Sequence, residues 1–198
     1  MELADIDPDP VVQLGRWLAA AREAGAALPE AMCVATATSD GLPSARMVLL
    51  RGIDTGLVFF TDYESAKGTD LQANPRAAAV LHWLVPVHRQ VRVQGTVTRV
   101  STPESDTYWE TRPVGSRCSA VASRQSRVIP DRAALEDRVA DLARLAADDP
   151  ALARPDRWGG FRITPDQVEL WEEGANRLHD RLRYSRNGGA WAIDRLSP

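Results

Sequence analysis

The chain is 198 residues long, 44% hydrophobic and 26% charged, with a net charge of -3, which suits one globular domain. The negative balance argues against general nucleic-acid binding, and no apolar run is long enough to span a bilayer. Cys33 and Cys118 lie far apart, and His82, His88 and His179 lack ligand spacing, so no structural zinc is expected; no secretory leader is recognisable, and the cytoplasm is the expected compartment.

Residues 1–8 are acidic and contain proline, which predicts a mobile tail. Asp9-Pro10 then opens a helix, with Asp as N-cap and Pro in the first turn. Val11, Leu14, Trp17, Leu18 and Ala21 recur at helical spacing, and Gly25 marks the stop. Strands are predicted over Met32 to Thr38, Ser44 to Ile53 and Leu57 to Thr61, separated by the Ser39-Asp40-Gly41 and Asp54-Thr55-Gly56 turns. Glu64 to Ala73 reads as a helix ending at Asn74-Pro75. Ala77 to Leu84 and Arg89 to Val100 read as strands; in the second, Gln90, Arg92 and Gln94 alternate with Val91 and Val93. Pro103 to Thr111 is a predicted helix, and Val114 to Pro130 is predicted to be irregular. Asp131 to Ala147 is amphipathic, with Leu135, Val139, Leu142 and Leu145 as its apolar stripe. The last predicted strands are Phe161 to Ile163, Gln167 to Glu172, Arg177 to Tyr184 and Ala190 to Leu196, the final pair joined by the Asn187-Gly188-Gly189 turn. Short turns between successive strands indicate an antiparallel barrel with peripheral helices, not a doubly wound parallel sheet. Neither a Gly-x-Gly-x-x-Gly nor a Walker loop is present.

Two local features point to a phosphate-bearing ligand. In Arg177-Leu178-His179-Asp180-Arg181, alternate residues of an extended strand would put two guanidinium groups and an imidazole on one face. Such a cluster is costly unless an anion faces it, and Arg forks match phosphate oxygens. The competing reading is an edge strand with its arginines in water. Among 24 Lys plus Arg, Lys67 is the only lysine, and its ammonium stands near a helix start; chance retention explains it equally.

Nearly the whole chain, from Pro10 to Pro198, resembles the pyridoxine/pyridoxamine 5'-phosphate oxidase family. The resemblance rests on Arg46-Met47-Val48-Leu49-Leu50, Phe59-Phe60-Thr61, Ser65-Ala66-Lys67, Arg89-Gln90-Val91, Arg112-Pro113 and Ser123-Arg124-Gln125-Ser126, in that order. It continues through Trp158-Gly159-Gly160, Trp171, Arg177-Leu178-His179-Asp180-Arg181 and Asp194-Arg195-Leu196-Ser197-Pro198. It implies a single FMN-binding split-barrel domain, a homodimer with FMN in the subunit interface, and C-terminal strands (165–198) that serve both dimer and site. FMN contacts carried over by position are Arg46, Met47, Val48, Leu49, Phe60, Thr61, Lys67, Gln90, Gln125, Ser126, Trp171 and Arg181, the last two reaching the partner's flavin. The substrate phosphate falls to Arg51, Tyr108, Arg112 and Ser116, and the catalytic positions are Arg177 and His179, over the substrate ring.

The implied reaction oxidises pyridoxine 5'-phosphate or pyridoxamine 5'-phosphate to pyridoxal 5'-phosphate, with hydride transfer to FMN and reoxidation by dioxygen to hydrogen peroxide. Four departures bear on it. Arg51 replaces a usual Lys, Ala66 replaces a frequent Arg, Cys118-Ser119-Ala120-Val121 replaces a stretch that usually carries Gly-Ala-Trp, and the N-terminus lacks an Arg-and-Tyr segment. Phenazine-biosynthesis oxidases share the fold and the FMN motifs, so a tricyclic substrate is the alternative. A flavin- or vitamer-binding protein without turnover is a third reading.

Overall fold

The computed structural model describes residues 1–148 and 152–198. Helix α1 (Pro10–Glu23) starts as its sequence dictates, the Asp9 carboxylate accepting the Val11 amide at 2.8 Å. Leu14, Trp17, Leu18 and Ala21 sink into the core, and Gly25, at φ +77°, turns the chain out of the helix. Strands β1 (Ala31–Ala37), β2 (Pro43–Leu49), β3 (Gly52–Ile53), β4 (Leu57–Asp62), β5 (Arg76–Trp83), β6 (Arg89–Arg99), β7 (Trp158–Glu172), β8 (Asp180–Asn187) and β9 (Ala190–Arg195) form one antiparallel sheet. Its main order is β2-β1-β5-β6-β7-β4-β3. β7 pairs with β4 through its first half and with β8 through its second, and β6 runs along both. That branch, with the curl of the sheet, makes a split barrel. Inward-facing Met32, Val34, Phe59, Leu81, Val91, Val93, Ile163 and Leu170 fill it, each almost inaccessible to solvent. Helices α2 (Ala66–Ala73), α3 (Thr102–Thr111), α4 (Val114–Ala122) and α5 (Arg132–Asp148) lie in the connections. No helix among the described residues is long and apolar enough to cross a membrane.

Several elements differ from the sequence reading. The expected strand from Ser44 to Ile53 breaks at Leu50-Arg51: the Leu50 amide donates to Glu30, but the Arg51 amide donates to Val58, so the chain changes partner from β1 to β4. The two strands expected at Phe161 to Ile163 and Gln167 to Glu172 are one. Pro165 sits where the β6–β7 register shifts beside Gly95, so its missing N–H falls at a bulge. A Cβ on Gly95 would stand 2.0 Å from the Thr164 carbonyl, so glycine is required there. Residues 114–122 are helical rather than irregular. Only Cys118 and Ala122 of α4 are buried, which leaves almost no periodic signal in its sequence.

Arg177 and His179 are not on a strand. Asn176 and Arg177 take φ of 54° and 64° in a short 3-10 turn, and β8 begins at Asp180. Leu145 of the predicted apolar stripe is exposed, while Leu135, Val139 and Leu142 are half-buried. The N-terminal segment expected as a free tail is docked instead. The Met1 ammonium donates to Asp180 at 2.8 Å, and the Tyr184 hydroxyl donates to the Asp7 carbonyl at 2.7 Å.

Candidate functional site

The change of partner at Leu50-Arg51 brings β2 beside β4, and a cavity of about 450 Å³ opens between them. It is lined by Arg46, Met47, Val48 and Leu49 of β2, Arg51, Phe60 and Thr61 of β4, Ala66 and Lys67 of α2, Tyr108, Arg112, Gln125 and Ser126. The sequence-predicted positions that meet here come from five separate stretches of chain.

One end is built around Lys67. Ser65 caps α2, accepting the Gly68 amide, and so fixes the first helical turn beside β4. Lys67 is only 7% exposed, and its ammonium donates to Gln125 Oε1 at 2.7 Å, Thr61 Oγ1 at 3.1 Å and Ser65 Oγ at 3.3 Å. Burial, reinforced by the nearby Arg46 charge, pushes the ammonium down to about 8. Arg46 is held by Thr36 Oγ1 at 2.7 Å and the Val34 carbonyl at 3.3 Å. Ser126 sits at φ 69° and accepts the Ala66 amide at 3.2 Å. A buried ammonium and a half-buried guanidinium, with carboxylate compensation among the described residues from Asp70, 3.8 Å from Arg46, and from Asp62, can attract an anion.

The other end holds Arg51, Tyr108 and Arg112. Tyr108 stacks on Phe60 with ring centroids 3.9 Å apart. The Arg112 guanidinium lies 4.6 Å over the Trp158 ring and donates through Nη2 to the Ser116 carbonyl at 2.9 Å. Its Nε is buried with no hydrogen-bond partner, and burial together with Arg51 lowers its affinity for its proton. Ser116 lines an adjoining cavity of about 420 Å³ that shares Phe60, Thr61, Arg112 and Gln125 with the first. This end is a second anion-seeking site across an aromatic wall.

Gln90, Trp171, Arg177, His179 and Arg181 lie elsewhere on the same chain. His82, Gln90, Trp171 and Arg181 form one cross-strand row over β5, β6, β7 and β8. The Trp171 and His179 rings are 4.6 Å apart, and the Gly174 amide donates to His179 Nδ1 at 3.3 Å, which leaves Nε2 to carry the proton of the neutral ring. Arg181 donates to the buried Glu169 at 2.9 Å, and Arg177 is exposed. On β7, Gly160 faces Phe60 while Trp171 lies eleven residues farther along, roughly 35 Å of strand. One chain therefore carries these residues in two separate clusters.

Trp158 was not singled out as a site residue from sequence, although the Trp-Gly-Gly motif marks it. A Cβ at Gly159 would meet Tyr63 Oη at 2.1 Å, and one at Gly160 would meet Phe60 Cε1 at 2.9 Å, so the glycines admit the aromatic wall.

A curled antiparallel half-barrel with two clusters of cationic side chains along one cavity of about 450 Å³ defines a protein suited to anionic ligands. Residues 19–146 match the family model "Pyridoxamine 5'-phosphate oxidase", and residues 158–198 match "Pyridoxine 5'-phosphate oxidase C-terminal dimerisation region". The chain belongs to the pyridoxamine 5'-phosphate oxidase family. It is 48% identical over 200 residues to a pyridoxine/pyridoxamine 5'-phosphate oxidase of Paraburkholderia phymatum, covering 100% of this chain and 93% of that one. A namesake from Cupriavidus necator is 50% identical over 196 residues, at 98% and 91% coverage. Among solved structures, PhzG from Burkholderia lata 383, in complex with tetrahydrophenazine-1-carboxylic acid, is 37% identical with a TM-score of 0.93, at 98% and 95% coverage. A pyridoxamine 5'-phosphate oxidase-related, FMN-binding protein from Nostoc punctiforme shares the fold at 20% identity and a TM-score of 0.75, covering 98% and 99%. FMN is the cofactor of this family, and the Lys67–Arg46 end, with partly uncompensated positive charge, fits its phosphate. The dimerisation region contains Trp171 through Arg181 and supports a homodimer.

Proposed function

We propose that the protein oxidises pyridoxine 5'-phosphate or pyridoxamine 5'-phosphate to pyridoxal 5'-phosphate, using dioxygen as the final acceptor. The observation that carries this reading is the second anion site. Arg51, Tyr108 and the buried, unpartnered Arg112 Nε stand in the same cavity as Lys67 and Arg46 but at its other end. Of the two cationic clusters an FMN phosphate engages only the one at Lys67 and Arg46, and a second phosphate, on the substrate, gives the other its task.

In this reading Arg46, Met47, Val48, Leu49, Phe60, Thr61, Lys67, Gln125 and Ser126 of one protomer hold FMN, and Gln90, Trp171 and Arg181 arrive from its partner. Arg51, Tyr108, Arg112 and Ser116 bind the substrate phosphate. FMN supplies the hydride-accepting chemistry, and the protein supplies position and charge. Arg177 covers the substrate ring. His179 presents its Nε2 proton to the reacting substituent, its other nitrogen being taken by the Gly174 amide.

The test is peroxide formation by FMN-loaded protein with the two phosphorylated vitamers and their unphosphorylated forms. Turnover confined to the phosphorylated forms is expected. A second reading, oxidation of a tricyclic phenazine precursor, draws on the likeness to PhzG. It gains if FMN-loaded protein ignores every vitamer but oxidises such a precursor, whose carboxylate would then be the partner of Arg51 and Arg112.

A further inference from the structure

Arg157 does not line the cavity described above, yet its side chain makes three hydrogen bonds and one charge contact beside it. Its side chain is 10% exposed. One nitrogen, Nη2, donates to three carbonyls, Ala120 at 3.0 Å, Val121 at 2.8 Å and Ser123 at 2.9 Å. Those carbonyls belong to the last turn and C-cap of α4, where a helix leaves acceptors unpaired and the macrodipole favours a cation. Nε lies 3.3 Å from Asp62 Oδ2, a charge contact whose angle falls outside a hydrogen bond. Asp62 is itself buried, at 5% exposure. The Arg157 carbonyl accepts the Tyr63 amide at 2.6 Å, so main chain and side chain both tie this residue to the end of β4.

The two things Arg157 joins are the two walls of the FMN phosphate end. From Ser123 the chain runs directly into Gln125 and Ser126, and Gln125 accepts from both Lys67 and Thr61. Asp62 follows Thr61, accepts the Glu64 amide at 2.7 Å, and through its carbonyl holds the Ser65 hydroxyl at 2.6 Å. Arg112 holds the start of α4 through the Ser116 carbonyl and Arg124 pairs with Glu64 at 2.9 Å, but among the described residues Arg157 is the side chain that binds the last turn of α4. Its sequence, VGSRCSAVA, buries only Cys118 and Ala122, and its N-cap, Pro113, has no side chain able to cap. A helix that buries so few side chains is held through its backbone by two guanidinium groups, Arg112 near its first turn and Arg157 at its last. Asp62 also needs a cation: left unpaired, a buried carboxylate so near Lys67 would compete with an incoming phosphate for that ammonium.

We infer that Arg157 is a positioning residue for FMN, clamping the 123–126 loop to β4 and masking the Asp62 charge so that Lys67 and Gln125 are set for the cofactor phosphate. This rests on FMN as the cofactor and not on the choice of substrate.

The test is FMN binding to apoprotein, read by quenching of flavin fluorescence, beside riboflavin as a probe lacking the phosphate. Arg157→Gln keeps a donor but loses the charge, and Arg157→Lys keeps the charge but not the three-carbonyl reach. In Arg157→Gln the FMN Kd should rise at least tenfold and the riboflavin Kd no more than a few-fold. Adding Asp62→Asn to Arg157→Gln should recover part of the loss. Arg157→Lys should fall between parent and Gln, and it stands in if the Gln variant does not fold. An FMN Kd within twofold of parent in a folded variant overturns the inference, as does an equal loss for FMN and riboflavin. A residue that merely supports the fold would lower Tm without separating the two ligands. Because no substrate enters the measurement, a wrong substrate assignment leaves its outcome unaffected.

Discussion

Lys67 is a cation held in a place that disfavours it until a phosphate arrives. Its folded-state value of about 8 lies below the ordinary 10.5, so the unfolded chain binds the proton more readily. Between those two values apoprotein stability therefore rises with pH, as the folded state is relieved of a buried charge. FMN reverses the preference, because its phosphate favours the ammonium. FMN affinity should then be level below about pH 8 and fall above it, approaching tenfold per pH unit, while riboflavin affinity stays level. Titrating both ligands from about pH 7 to about pH 9.5 checks this; a level FMN profile would remove Lys67 from the phosphate site. The two anion sites should also separate by mutation. Lys67→Ala should weaken FMN retention by at least tenfold with little change in the vitamer KM, and Arg112→Ala should raise that KM by a similar factor while the protein stays yellow, since charge-assisted bonds are worth about 1.5–3 kcal/mol. Dialysis against buffer followed by steady-state kinetics on FMN-saturated protein distinguishes them, and equal effects would merge the sites into one.

At the level of elements, the turn before β8 differs most from its sequence reading. Alternation of Arg177, His179 and Arg181 suggests a strand face, but period-two spacing cannot report φ. The residues occupy a turn because Gly174 packs against the Leu178 carbonyl, where a Cβ would stand 1.9 Å away, and the chain then reverses through left-handed Asn176 and Arg177. A side chain in that region costs about 1–2 kcal/mol, and glycine escapes it. Arg177→Gly and Arg177→Ala should both stay yellow and lose most turnover. The Gly variant should nevertheless unfold at higher urea, by about 1 kcal/mol, although glycine gives back some of this as chain entropy. An Ala variant as stable as the Gly one would mean that the turn is not left-handed in solution. Other elements were legible because their signals are local: the Asp9-Pro10 start of α1, the alternation of β6, and the Asn187-Gly188-Gly189 hairpin, with Gly188 at φ +61°. The continuity of β7 through Pro165 and the helicity of α4 depend on partners far along the chain. No window of sequence contains them, and the same is true of the contact between Arg157 and Asp62.

At the scale of the whole molecule, the chain's own geometry separates what the proposed reaction must unite. Lys67, Arg46 and Arg112 open onto a cavity beside β4, whereas Trp171, His179 and Arg181 lie near the far end of β7, about eleven residues beyond the β4 pairing. Motif order alone does not say which copy of the chain a residue serves; the family resemblance is what assigns Trp171 and Arg181 to the partner's flavin. Under the proposed function, two-fold pairing through the dimerisation region would resolve the separation by setting each cavity against the other protomer's far end. The consequence can be tested by mixing. Lys67→Ala homodimers lack the phosphate half in both sites, and Arg177→Ala homodimers lack the ring-covering half in both. In a mixed dimer one site collects both defects and the other has neither. Subunits unfolded together, refolded at equal concentration and assayed at an FMN concentration that loads parental but not Lys67→Ala sites should form about half mixed dimers, each with one intact site, and so recover roughly a quarter of parental peroxide production. Each variant refolded alone supplies the baseline. Activity no higher than the sum of those baselines, in a mixture shown by mass to contain the hybrid, would mean that each chain completes its own site, and the far end of β7 would then need another role.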